Sequence, residues 1–377
     1  MKKKILIVTR NLPPLIGGME RLNWHIADEL SKDNDVILLS HKNAKTAAPS
    51  NCKFYGVPLN PLPIFLIIAF IKTLSLCLTQ KPDILFAGSG LTAPIVTFWG
   101  KVFRKKSIIY IHGLDIATNH PIYSNIWVPM IRRANKIITN STPTYNLCIE
   151  KGILKSKLSI IHPGVTYPPP EKNQKLLNSI KNQYELNGKK LLISVGRLTE
   201  RKGLSEFIAF SLPQIVKNFP NVILLVVGDS ANNALNKNMQ TRDHLIKIAQ
   251  THNIDQHIYF AGKVTDQELS SLFYLSSIHI FPVKYIANDP EGFGMVAIEA
   301  ATHGIPTIGF ATGGLIDAVE QKKSGFLIES NNYQELSDVV IHFLRNKTLI
   351  DRDTCQDYAE KFSWNNMSIK LSDLLNN

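Results

Sequence analysis

Leu191-Leu192-Ile193-Ser194-Val195-Gly196-Arg197-Leu198-Thr199-Glu200-Arg201-Lys202-Gly203 is the stretch on which the fold turns. Its first five residues form a short apolar run of strand length, which stops at a glycine followed by a polar, cationic turn. In open parallel sheets ligands bind outside the carboxyl ends of the strands, so residues 196–203 mark a candidate site as well as the end of a strand.

The same rhythm continues outward from this stretch. Toward the C-terminus, apolar runs recur at 222–227, 257–260, 278–281, 307–309 and 325–328. Toward the N-terminus they recur at 5–8, 36–40, 84–87, 107–111, 136–139 and 159–161, with longer amphipathic stretches between them. Such alternation predicts parallel sheets covered by helices, and a run such as Ile84-Leu85-Phe86 predicts burial on both faces. The rhythm breaks at 162–190, where Pro163-Gly164 and Pro168-Pro169-Pro170 precede a polar, helix-like segment that reads as an interdomain linker. A chain of 377 residues is roughly twice the usual single-domain length. Two doubly wound, Rossmann-like α/β lobes facing across a cleft are therefore expected, ending in helices over 333–344, 351–361 and 364–375.

Composition narrows the class. A hydrophobic fraction of 44% with 19% charged residues fits a packed globular chain and excludes a disordered one or a membrane bundle. The net charge of +12 favours anionic partners: phosphorylated substrates, anionic lipid headgroups or nucleic acid. Nucleic acid is the weakest of the three, because the basic runs are short (Lys2-Lys3-Lys4 and Arg104-Lys105-Lys106) and carry no interleaved aromatics. Four cysteines, at 52, 77, 148 and 355, are too scattered for a zinc site and too few for a disulfide scaffold, as expected of a reducing cytoplasm. The apolar run after Lys4 is too short for a signal peptide and reads as a first strand. Residues 62–78 are apolar apart from Lys72 and some hydroxyl side chains, and prolines bound them; this predicts a buried or interfacial helix rather than a span.

Residues able to carry chemistry follow the predicted strands. Gly17-Gly18 opens a helix after the first strand, where absent side chains let a phosphate or sugar approach backbone N–H groups; a plain strand-to-helix turn looks the same. Arg197 can hold two phosphate oxygens in a fork and Lys202 adds a point charge, so together they suit a diphosphate. In Asp289-Pro290-Glu291-Gly292-Phe293-Gly294-Met295-Val296-Ala297-Ile298-Glu299, the spacing predicts Glu291 at a helix entrance and Glu299 two turns on, on nearly the same face. Each carboxylate can accept from adjacent hydroxyls, of a sugar or a ribose, while Gly292 and Gly294 leave N-terminal amides open. An unpaired Glu299 among alanines would be costly. His112, after 107–111, can donate to a sugar hydroxyl, and Asp115 either orients it or binds an acceptor. The Asp33/Asp35 and Asp351/Asp353 pairs lie away from these strand ends, and no metal site is expected.

With these motifs in place the chain resembles the retaining glycosyltransferases of the GT-B fold, in the large family 4 group, also described as glycosyl transferases group 1. The resemblance covers nearly the whole chain. It rests on Gly17-Gly18-Met19-Glu20, His112-Gly113, His162-Pro163-Gly164-Val165, Gly196-Arg197 with Lys202-Gly203, Gly228-Asp229, and the Glu291 to Glu299 element. It implies an N-terminal acceptor-binding lobe of residues 1–165, joined by the closing helix 362–377, and a donor-binding lobe of 166–361. It implies that Arg197 and Lys202 hold the donor diphosphate, Glu299 the ribose, Glu291 the donor sugar, and His112 the sugar near its reacting carbon. Gly17, Gly18, Gly228, Gly292, Phe293 and Gly294 would join the donor side, Val264 would meet the base, and Thr312-Gly313-Gly314 would border the sugar pocket.

The implied activity is transfer of a hexose from a GDP- or UDP-linked sugar to a hydroxyl of a glycan or lipid-linked acceptor, without metal and with retained configuration, in cell-surface polysaccharide or glycolipid synthesis. The alternatives are a sugar-nucleotide epimerase of the same fold and a non-catalytic sugar-nucleotide or glycan binding protein. Basic charge and the apolar 62–78 stretch suit either peripheral contact with the cytoplasmic face of an anionic membrane or a soluble, basic cytoplasmic enzyme.

Overall fold

The apolar runs are strands, and every strand pairs in parallel. The computed structural model describes residues 2–118, 120–229, 240–346 and 349–376. It divides into two units. One comprises Met1–Gly164, Asn288–Phe293 and Trp364–Asn377, and the other Val165–Ala287 and Gly294–Ser363.

The first unit is built on strands β1 (Lys4–Val8), β2 (Asp35–His41), β3 (Lys53–Val57), β4 (Ile84–Ala87), β5 (Lys106–Ile111), β6 (Lys136–Thr139) and β7 (Leu158–Ile160), in the order β3-β2-β1-β4-β5-β6-β7. Helix α1 (Gly18–Asp33) follows β1, and α2 (Leu62–Gln80) joins β3 to β4. Helices α3 (Ala93–Val102), α4 (Leu114–Ala117) and α5 (Val128–Arg133) come later in the same unit. Successive side chains of a strand point to opposite faces. One face, carrying Leu6, Val8, Leu85, Ile109 and Ile137, packs against Phe65 and Ala69 of α2, Val96 and Trp99 of α3, and Val128 and Ile131 of α5. Because β3 and β4 lie in one sheet, both ends of α2 are on the same side of any bilayer, so α2 is a crossover and not a span.

The C-terminal helix Trp364–Asn376 packs on α1. Trp364 stacks on His25 with ring centroids 3.8 Å apart, a contact on the order of 3 kcal/mol once the indole is buried. The same burial pulls the His25 imidazole down to about 4, helped by the charges of Arg21 and Lys32. At the far end, Lys3 Nζ donates to Leu375 O at 2.7 Å and Lys106 Nζ to Leu374 O at 3.0 Å, cations on the last carbonyls of a helix.

The second unit is built on β8 (Lys190–Val195), β9 (Val222–Val227), β10 (Ile258–Gly262), β11 (Ile278–Phe281), β12 (Thr307–Phe310) and β13 (Gly325–Ile328), in the order β10-β9-β8-β11-β12-β13. Its core includes Leu191, Ile193, Ile223, Leu225 and Phe273. In both sheets the strand order reverses once, between β1 and β4 and between β8 and β11, and those are the points where doubly wound sheets bind ligands.

β3 is the strand the apolar pattern misses. It is an edge strand with one neighbour, and only Val57 of Lys53-Phe54-Tyr55-Gly56-Val57 is buried, so no apolar run was needed to build it.

Candidate functional site

In the second unit the chain leaves β8 at Gly196 and turns through a cationic loop. Arg197 is exposed at the first position after that glycine. Lys202 folds back toward the strand end, its Cε 3.2 Å from where a Cβ on Gly196 would stand. Lys202 Nζ lies 4.2 Å from the centroid of the Phe281 ring, the last residue of β11, a cation–π contact of ~2 kcal/mol when desolvated. Below the ring, His279 is brought down to about 3, by burial first and the Lys202 charge second.

The loop is braced from the β11 side. Lys284 N donates to Arg201 O at 2.9 Å, and Lys284 Nζ pairs with Glu206 and, at 3.7 Å, with Glu200. Burial works to raise the Glu206 carboxyl, but hydrogen bonds from Lys284 and Ser205 hold it below the ordinary value. Gly228, after β9, has φ 119°, and a Cβ there would run into the Gly196 carbonyl oxygen, so only glycine lets these two strand ends meet. Val264 follows β10, half-buried against the core. Thr312 bonds Ser330 through hydroxyl oxygens 2.6 Å apart, ahead of the turn at Gly313 and Gly314.

The Glu291 to Glu299 element departs from its expected geometry. The helix is Met295–Thr302, and Gly294 ahead of it is left-handed at φ 86° and ψ 47°. Glu291 therefore lies outside the helix, and helical phase does not relate the two carboxylates. The element also divides between the units: Asn288–Phe293 groups with the first, against the sequence boundary of 166–361 for the second lobe, and Gly294 onward with the second. Gly294 packs on the edge of Phe281, its would-be Cβ 3.1 Å from Cε1, so the ring that holds Lys202 on its face borders the helix start on its rim. Glu299 is half-buried in company with Met295 and Val296, while Ala297, Ile298, Ala300 and Ala301 are buried.

In the first unit the corresponding residues gather after β4 and β5. His112 is 7% exposed, and its Nε2 lies 2.7 Å from Gly88 O. A carbonyl can only accept, so Nε2 carries a proton. Nε2 is thus engaged by Gly88 O, and Nδ1 is the ring nitrogen left to meet a sugar hydroxyl. Asp115 takes His112 N at 2.9 Å and Gly113 N at 3.1 Å on Oδ1, and Gly90 N at 2.8 Å on Oδ2. Of the two readings open for Asp115, this is the geometry of an orienting group.

The segment carrying Glu291 seats on this region. A Cβ on Gly292 would run into His112 O, and Asn140 Nδ2 donates to that same carbonyl at 3.0 Å. Phe293 stacks on His162 with centroids 5.1 Å apart. His112, Asp115, Glu291, Gly292 and Phe293 thus share one unit, and Arg197, Lys202, Gly228, Val264, Gly294 and Glu299 the other.

Gly17 and Gly18 begin α1 after β1. A Cβ on Gly17 would run into Glu20, whose carboxylate is 8% exposed and accepts from Asn11 Nδ2 at 2.8 Å. A buried anion already occupies that helix start, so hydroxyl groups suit the turn better than a second anion. Gly88, Asn140 and Phe281 escaped the sequence reading. Gly88 and Asn140 each follow a strand directly, β4 and β6, and were open to discovery by position, whereas Phe281, inside an apolar strand, carries no such signal.

A family model described as glycosyl transferases group 1 matches residues 178–362, and one described as glycosyltransferase family 4 matches residues 16–167. An uncharacterized glycosyltransferase of Methanocaldococcus jannaschii is 22% identical, over 97% of this chain and 96% of its own. A GDP-mannose-dependent monoacylated alpha-(1-6)-phosphatidylinositol monomannoside mannosyltransferase of Corynebacterium glutamicum is 22% identical, over 99% and 98%. The crystal structure of Anabaena HepE in complex with UDP superposes with a TM-score of 0.81 at 18% identity, covering 99% of both chains.

Proposed function

Since the chain belongs to the GT-B glycosyltransferases of group 1 and family 4, we propose that it moves a hexose from a GDP- or UDP-linked donor to a hydroxyl of a glycan or lipid-linked acceptor, with retention and without metal. The observation that carries this reading is the Lys202 ammonium on the Phe281 ring, beside Gly196 and the start of the Met295–Thr302 helix, where the second sheet reverses. Lys202 and Arg197 neutralise the charge that builds on the departing diphosphate as the anomeric C–O bond breaks. Glu299 binds the ribose diol, Val264 meets the base, and Glu291 takes hydroxyls of the donor sugar.

The acceptor oxygen attacks the anomeric carbon on the face the phosphate leaves. Its proton passes to a leaving phosphate oxygen, so no carboxylate nucleophile is required. His112, through Nδ1, orients a hydroxyl near the reacting carbon. The GDP-mannose-dependent relative and the UDP complex of HepE support the two donor bases considered.

Thermal-shift titration with GDP-mannose, UDP-glucose and UDP-N-acetylglucosamine tests the donor, and stabilisation by at least one is expected. Turnover of that donor in EDTA, with an α-linked product by NMR from an α-donor, is the expected outcome. An inverted product, or loss of turnover in EDTA restored by a divalent cation, overturns the mechanism.

A further inference from the structure

The first unit presents an apolar stripe where a globular domain places charge. On α2 the core takes Phe65, Ala69, Thr73, Leu76 and Cys77. The opposite side carries Ile64, Ile67, Ile71 and Leu78, spaced by three, four and seven residues along one helical face. Ile67 is 59% exposed and Ile71 60%. Mean hydropathy over an 18-residue window of this helix reaches 2.2 with only 28% of the window buried. A helix apolar on both sides has one side with no aqueous reason to exist.

The stripe continues onto the neighbouring helices. α2, α3 and α5 pack on the same face of the sheet, so their outward sides form one layer. On α3 that side shows Phe98 and Val102, one helical turn apart and both exposed. Phe98 and Val102 share a groove with Met130 of α5, Lys101 and Arg133. A second groove of ≈ 270 Å³, where the end of α2 meets the turn after α3, is lined by Cys77, Leu78, Pro82 and Phe103 together with Lys81 and Lys105.

The charge around the stripe is of one sign. Residues 61–135 hold eight lysines and arginines against two acids, Asp83 and Asp115. Asp115 is engaged with three backbone N–H groups, and Asp83 accepts from Lys4 N with Lys105 Nζ 3.8 Å away. Lys81, Lys101, Arg104, Arg132 and Arg133 are exposed.

We propose that the outward side of α2, α3 and α5 docks onto an anionic phospholipid bilayer, entering to the boundary between headgroups and acyl chains. Exposed isoleucines and Phe98 supply the buried apolar area, and the flanking cations meet the lipid phosphates. α2 lies in the interface plane, because both its ends belong to one sheet. The surface also adjoins the loops that hold His112. Next to α5 is a π-helical turn, Tyr123–Trp127, with Ile122 and Ile126 exposed. Tyr123 OH donates to Asp115 O, and Trp127 Nε1 donates to Leu91 O at 2.9 Å. Docking would bring a membrane-anchored acceptor to that edge. The docking itself does not depend on which sugar is transferred.

The test is co-sedimentation of the full chain with phosphatidylcholine vesicles, with and without about a third phosphatidylglycerol. Binding to the anionic vesicles, at least tenfold weaker to the neutral ones and weakened by salt, is expected. Ile67→Glu with Ile71→Glu should lower partitioning more than about tenfold. Lys101→Glu with Arg133→Glu should lower it about tenfold or more, each cation at an anionic surface contributing about fivefold. Both pairs should keep the parent unfolding midpoint by circular dichroism; should the glutamate pair unfold, Ile67→Ser with Ile71→Ser takes its place. No anionic-vesicle binding, equal binding to neutral vesicles, or binding indifferent to the isoleucine substitutions overturns the proposal. So does a dimer by light scattering that Ile71→Glu dissolves without vesicle binding by the parent, since the stripe would then belong to a second copy.

Discussion

Around His112 in the first unit, polar atoms hold one another by directional hydrogen bonds: Nε2 to Gly88 O, Asp115 to three backbone N–H groups, and Asn140 to His112 O. Around Lys202 in the second unit, close steric contact and a ring face are added to the ion pairs that brace the loop, with Gly228 against Gly196 and the ammonium over Phe281. The two kinds of construction fail differently. A hydrogen-bonded cradle can lose its geometry while the core stays packed, whereas a steric interlock passes any added atom directly to the sheet beneath it.

The sharpest test of this contrast is Lys202→Ala. Loss of the ring contact should cost no more than about 2 kcal/mol of stability, so turnover should fall about 10²–10³-fold with the circular dichroism spectrum unchanged. Near-normal turnover would strip the second region of its proposed role. Gly228→Ala should show the interlock, lowering stability by about 2–4 kcal/mol in urea unfolding because the methyl meets the Gly196 carbonyl and φ 119° is strained for alanine. A loss below 0.5 kcal/mol would mean that the strand ends yield easily.

Asp115→Ala should show the cradle. With three N–H groups deprived of their acceptor, kcat should fall about tenfold while the donor KM stays constant, and Asp115→Asn, which keeps one acceptor oxygen, should recover part of it. A change confined to acceptor KM would instead make Asp115 a binding group.

The smallest effect expected is on acid stability. His25 in the first unit and His303 in the second both lie at about 4, below the ordinary 6.5, each chiefly through burial. The unfolded chain therefore takes up protons first, so their stabilisation is complete above pH 6.5 and is lost as pH falls toward 4. Tm should drop by a few degrees across that window, and His25→Phe should flatten part of the loss. A parent profile unchanged between pH 6.5 and 4 would contradict the buried, neutral state of both rings.

Much of the fold was open to reading, because burial on both faces leaves a local trace. Apolar runs such as Ile84–Ala87, Val222–Val227 and Ile278–Phe281 are strands over the residues expected. Where burial is one-sided the trace fades, as in β3. The spacing of Glu291 and Glu299 misled for a related reason: periodicity assumes a continuous helix, and the left-handed Gly294 interrupts it. The outward stripe of α2 was visible only as excess hydropathy, since which side of an all-apolar helix meets the core depends on its neighbours.

By itself, then, the sequence determined the α/β class, the strand ends at which His112 and Arg197 stand, the helix start at Gly17, and the family resemblance. Only the tertiary structure decided that Lys202 rests on Phe281, that His112 donates its Nε2–H to Gly88 O, and that Glu291 groups with the first unit while Glu299 belongs to the second. Strand formation depends on near neighbours along the chain. Those contacts join residues far apart in sequence, and parallel register brings them together only once the sheets are formed.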